Sequence, residues 1–196
     1  MSTHGGGLPV DPGLGRSRGD RENTPVSTTI WYLETTDPDE LRPGRDPGGH
    51  VALVHAELPS AELSRFLYSE VGRDYQWVDR GSWGIDEWRA RTEDLRVETW
   101  VLYERGTPAG YVELEGQDAG DVEIVYFGLL PGFLGRGLGG HMLTEALRRA
   151  WSMGERPAGH EATRRVWLHT CSLDGEHALA NYRARGLRLY RETTEP

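Results

Sequence analysis

The chain has 196 residues and a formal net charge of −9, and all of its lysine-plus-arginine count is arginine. That length supports one well-cored domain with a tail. The acidic balance argues against a nucleic-acid partner, which asks for a basic face, and agrees with cationic or amine substrates. A single cysteine, Cys171, excludes an intramolecular disulfide and a cysteine-based zinc site, so no metal is expected.

Residues 1–27 are rich in Gly, Pro, Arg and Asp and nearly devoid of large apolar side chains. Burial there cannot offset the entropy of ordering, so we expect a disordered tail (1–27) ahead of a single domain (28–196). No apolar run has the length of a membrane span or the form of a secretory leader, so the expectation is a cytoplasmic protein with no membrane partner. Thr28–Thr35 reads as a strand, the Pro- and Gly-rich segment DPDELRPGRDPGGH as turns, and Val51–His55 as a second short strand. Ser60 caps a helix whose apolar face is Leu63, Phe66, Leu67 and Val71. The next segment, DYQWVDRGSWGIDEWRARTED, carries Tyr75, Trp77, Asp79, Trp83 and Trp88 and a short helix near Ile85–Thr92. Its aromatics can wall a pocket or close one end of a core. Val97–Glu104 and residues 109–115 form a hairpin through ERGTPAG.

Residues 122–151 organise the chain: an apolar, β-branched strand breaks at Pro131, passes through glycines and becomes a helix. Gly135, Gly137, Gly139 and Gly140 let main-chain N–H groups converge on an anion at the positive end of the helix, although a plain connecting turn has the same composition. Leu138, Met142, Leu143, Ala146, Leu147 and Ala150 recur at helical spacing and anchor that helix. A polar loop, the strand VWLHTC, a helix through Ala178, Leu179 and Tyr182, and the strand LRLYRET complete the chain.

Two motifs, LGRGLG at 134–139 and NYRARGL at 181–187, lie in an order of elements that resembles the GNAT superfamily of acyl-CoA-dependent N-acyltransferases. The order is strand, two helices, three antiparallel strands, helix, strand, helix, strand. The first motif is similar to the family's Q/R-x-x-G-x-G/A signature, with Leu134 where Gln or Arg is usual. The second is similar to its Y-x-x-x-G-F segment, with Leu187 in the aromatic position. The resemblance implies an α/β (α+β) fold: a mixed, mostly antiparallel sheet of six to seven strands with about four helices, splayed at the fourth strand of that order, the one from Val122. It also implies acetyl-CoA as cosubstrate. Leu134, Gly135, Arg136, Gly137, Leu138, Gly139 and Gly140 would lie along the pyrophosphate, Phe127, Leu129 and Leu130 along the pantetheine arm, and Asn181 and Tyr182 beside them. Gly128 suits a bulge that opens the sheet.

Acyl transfer to an amine needs a neutral amine, a held oxyanion and a proton for the leaving thiolate. Period-two alternation puts Glu123 on one strand face with Val125 and Phe127, an apolar setting fit for a general base, against the plain reading of a solvent-facing glutamate. Glu113 and Glu115 are reserves, Glu113 as an anchor for a cationic substrate. The Leu129 N–H is the expected oxyanion donor and Tyr182 the expected acid, unless Tyr182 is only a half-buried aromatic. Tyr75, Trp77, Asp79, Trp83 and His169 are the expected acceptor contacts. His169 and Cys171 share a strand face, but they do not aim at each other as a nucleophile pair would. The expected function is acetyl transfer from acetyl-CoA to a primary amine of a small molecule or amino-acid derivative. The alternatives are a protein lysine or N-terminal acetyltransferase and a non-catalytic acyl-CoA-binding module; a homodimer stays open.

Overall fold

A computed structural model of the chain describes residues 27–75, 77–153 and 161–195. The expected disordered tail falls almost wholly outside them, as does most of the polar loop after residue 153. The elements are β1 (Thr28–Thr35), β2 (Val51–His55), α1 (Ala61–Gly72), α2 (Ile85–Thr92), β3 (Val97–Glu104), β4 (Thr107–Gly116), β5 (Asp121–Leu129), α3 (Leu138–Trp151), β6 (Arg165–Cys171), α4 (Ala178–Ala184) and β7 (Arg188–Glu195), with short 3-10 turns at Pro38–Glu40, Asp118–Gly120 and Pro131–Phe133. No helix among the described residues is long and apolar enough to cross a membrane.

One seven-stranded sheet runs β2-β3-β4-β5-β6-β1-β7. Every pairing is antiparallel except β5 with β6. The N-terminal strand β1 therefore sits between β6 and β7, far from β2, and residues 36–50 must carry the chain back across the molecule. Helix α1 starts where Ser60 Oγ accepts from Leu63 N at 3.2 Å. Its buried face is Ala61, Ser64, Leu67, Tyr68 and Val71; Phe66 is half exposed, which corrects its expected place in the apolar stripe.

The period-3.6 stripe of α3 is buried as expected, against β5 and β6 on one face of the sheet. Strand β6 alternates in the same sense, with Val166, Leu168 and Thr170 buried beneath α3 and α4. The opposite face of β3, β4 and β5 carries α1 and α2 over a cluster of Leu67, Tyr68, Val71, Trp88, Val101 and Tyr111.

The sheet opens in the middle. Strand β5 pairs with β6 only over residues 121–123 against 165–167, and the remainder of both strands has no partner across the gap.

Candidate active site

One inserted residue governs how β5 presents its side chains. Opposite β4, Glu113 faces Tyr126 and Leu114 faces Ile124, so Val125 is an extra residue, a β-bulge. This corrects the bulge expected at Gly128, which pairs regularly with Tyr111. Gly128 is needed for close packing instead: a Cβ there would lie 2.4 Å from Val71 Cγ1 of α1.

The bulge inverts the alternation. Before it, Val122 and Ile124 point toward α3; after it, Phe127 and Leu129 do. Glu123 consequently points to the other face, the one that carries Tyr126, and does not sit beside Phe127 as plain period two implied. Its surroundings are polar, where an apolar setting was expected. Glu123 Oε2 accepts from Gln117 Nε2 at 2.8 Å, and Oε1 lies 3.4 Å from His169 Nδ1. Gln117 Oε1 accepts in turn from Trp167 Nε1 at 3.0 Å, which fixes the amide and so the carboxylate.

Around this pair stand two more carboxylates. Asp174 accepts from Thr170 Oγ1 at 2.6 Å and Cys171 N at 2.9 Å. Asp79 accepts from the hydroxyls of Tyr68 and Tyr126. His169 is raised above the usual imidazole value, first by its bond to Glu123, against the opposing effect of burial, then by the charges of Glu123, Asp174 and Asp79. Burial pushes the Tyr68 hydroxyl up to about 12 and raises Tyr126 as well, so both remain donors to Asp79 at neutral pH. Burial likewise raises the Cys171 thiol, which disfavours the thiolate.

The aromatic expectations divide. Trp77 packs on Tyr68, Tyr111 and Tyr126 and covers Gly72 and Gly128, walling the opening from the α1 side. Tyr75 reaches the loop before α4, where its ring lies beside Gly175. Trp83 packs edge-on against Trp88 and lies under the Arg80 guanidinium, so it belongs to the packing beneath α2. Glu113 is a correction: it is 1% exposed and bound by Arg80 at 2.8 and 2.9 Å and by Arg91 at 2.6 and 3.0 Å, which leaves no oxygen for a substrate. This network, with Glu115 also on Arg91, ties the segment after α1 to β4 and places Asp79.

On the α3 side the main chain of β5 is arranged for pairing. Leu130 N donates to Ala109 O at 2.9 Å, so the ladder rule turns the main-chain groups of Gly128 and Leu130 toward β4 and those of Phe127 and Leu129 toward the opening. Leu130 is corrected as a main-chain contact, because its N–H is taken by Ala109 and its C=O accepts from Phe133 N. Tyr182 packs edge-on against Phe127, with ring centroids 6.0 Å apart. Burial, then the charge of Asp174, raises its hydroxyl well above the ordinary value, and it stays protonated at neutral pH.

The glycine loop closes this end. Gly135 and Gly137 have φ of 70° and 77°, and a Cβ at either would meet nothing within 4 Å. Gly137 is the N-cap of α3 and no side chain caps the helix, so the first-turn N–H groups have no side-chain cap. An uncapped helix start beneath an open glycine cradle fits a diphosphate. Asn181 Nδ2 donates to Gly139 O at 3.4 Å and ties α4 to the loop. The Leu134 side chain is exposed. Arg136 does not stand free: its Nη2 lies 2.6 Å from Glu104 Oε1 and its guanidinium covers Phe133.

Sequence reasoning missed Gln117, Tyr126, Asp174 and Arg80. Only the strand assignment bore on Tyr126, and the unseen bulge pointed it the wrong way.

The model of the acetyltransferase (GNAT) family matches residues 63–187. The fold is similar to a GCN5-related N-acetyltransferase from Kribbella flavida, with TM-score 0.58 and 18% identity over 87% of this chain and 60% of that one. It is also similar to a GCN5-related N-acetyltransferase from Sphaerobacter thermophilus (0.56, 18%, 85% and 50%). A tandem GNAT protein from the clavulanic acid biosynthesis pathway gives 0.56 and 15% over 86% and 51%. The chain thus spans about half to six tenths of the length of these proteins. No curated protein matches it in sequence.

Proposed function

The chain belongs to the acetyltransferase (GNAT) family, and from that premise we propose that it moves an acetyl group from acetyl-CoA to a primary amine of a small molecule by direct attack. The observation that carries the reading is the opening between β5 and β6, with phosphate-fitting glycines on one side and a carboxylate-and-aromatic wall on the other. Bound acetyl-CoA would supply the activated thioester carbonyl.

The chain's own groups fit the remaining tasks. Asp79, Asp174 and Glu123 would draw an ammonium toward the gap, and Trp77 and Tyr126 offer aromatic surface beside it. Glu123, held by Gln117 and His169, would take the proton the amine must lose. The Leu129 N–H, turned toward the opening, would hold the developing oxyanion. Tyr182, kept protonated by burial, would give a proton to the departing thiolate.

The test is thiol release from acetyl-CoA across a panel of amines and peptides. Amine-dependent, saturable release that free amines sustain better than peptides is expected. Preference for peptides would overturn the substrate class, and binding without any release would make this an acyl-CoA-binding module. Tyr182→Phe should lose about 10²- to 10⁴-fold in kcat, the span of a general acid, with coenzyme affinity unchanged by calorimetry. A variant with full rate contradicts the acid assignment.

A further inference from the structure

Arg185 caps the C-terminus of α4, its N–H shared between the carbonyls of Asn181 and Tyr182. Its guanidinium is wedged between two glycines. A Cβ on Gly140 would lie 2.5 Å from Nη1, and one on Gly44 would lie 3.0 Å from it and 2.5 Å from the Gly140 main chain. Both glycines are required for this approach. The strap that brings Gly44 there is itself pinned, Gly44 N donating to Thr144 Oγ1 at 2.8 Å and Arg42 N to Arg185 O at 3.2 Å. Residue 140 is the third of α3, so the fold holds a cation against the first turn of a helix, at the positive end of its dipole.

Among the described residues nothing compensates that charge. No carboxylate among the described residues pairs with Arg185, and its Nε is buried with no hydrogen-bond partner. Arg136, the other cation of the loop, is by contrast taken by Glu104. A guanidinium with a buried, unpartnered Nε beside a helix start that no side chain caps is an arrangement that an anion would relieve.

Resting on the acetyl-CoA reading above, we infer that Arg185 contacts the diphosphate of the coenzyme and, with the strap at Gly44, completes the phosphate site from the α4 side. Neither the glycine signature nor the tyrosine motif specifies a cation at this position.

Calorimetric binding of CoA and of 3′-dephospho-CoA to wild type, Arg185→Gln and Arg185→Lys tests it, with thermal denaturation of each ligand-free protein. A charged hydrogen bond predicts that Arg185→Gln weakens both ligands about ten- to a hundredfold and that Arg185→Lys recovers part of the loss. The ligand-free melting temperature of Arg185→Gln should be equal to or above wild type, because an uncompensated cation has been removed. Unchanged affinity for both ligands, a loss confined to the 3′-phosphorylated one, or a melting temperature that falls along with affinity would each overturn the assignment. Wild type that binds neither ligand would overturn the proposed function itself, and this inference with it.

Discussion

At the proposed acceptor end, Glu123, Asp79 and Asp174 each accept hydrogen bonds from neighbouring protein groups; at the proposed donor end, α3 starts without a side-chain cap and Arg185 has no acidic partner among the described residues. The contrast follows from what each end must meet. A wall that recognises a small cation gains from being rigid, and internal hydrogen bonds supply that rigidity before the substrate arrives. A diphosphate site must keep its N–H groups unsatisfied, since any internal partner would have to be displaced first.

Breaking the acceptor end should have the largest effect. Glu113→Ala strands the buried Arg80 guanidinium and leaves the part-buried Arg91 with Glu115 as its remaining carboxylate, and we expect a loss of about 3–5 kcal/mol in urea denaturation, with Asp79 set free. A loss under about 1 kcal/mol would mean that the network does not hold the segment. Next, Glu123→Gln should lower turnover about 10²- to 10⁴-fold while leaving coenzyme affinity intact, and should return the His169 titration, followed by NMR, toward its usual value. If turnover falls and His169 does not move, the two side chains are not coupled.

The donor end sharpens the contrast from the other side. Gly137→Ala forces a left-handed residue at φ 77°, costing about 1–2 kcal/mol, and should weaken coenzyme binding more than amine binding. An equal effect on both would place the loop outside the donor site. The smallest effect is on pH. Because the folded pKa of His169 is raised, its pairing stabilises the protein fully below the unfolded value near 6.5 and is lost as pH rises through the folded value. The stability difference between wild type and Glu123→Gln should therefore shrink from pH about 6 to pH about 8; a constant difference contradicts the pairing.

Much of this was legible in the residues. Helix α3, its glycine start and the alternation of β6 follow from local periodicity, which tertiary packing did not override here. The capped start of α1 and the span of α2 were equally local. The placement of β1 between β6 and β7 was not legible, because long-range strand order leaves no mark in a single strand's composition. The Val125 bulge was hidden for a similar reason: an inserted residue costs nothing in local pattern, yet it turned Phe127 away from Glu123 and Tyr126 toward it. Glu113 misled because a glutamate on a strand looks alike whether it meets solvent or two arginines.

The claim beneath all this is that the sheet separates donor from acceptor and joins them only at the gap between β5 and β6. Backbone amide shifts in an NMR titration test it directly. CoA should perturb Gly135, Gly137, Gly139, Leu129 and Arg185 and leave Asp79 and Trp83 in place, while a saturating amine should move Asp79, Tyr126 and His169 and leave the glycines unshifted. CoA shifts centred on Asp79, Trp77 and Tyr126, with the glycine loop silent, would contradict the account.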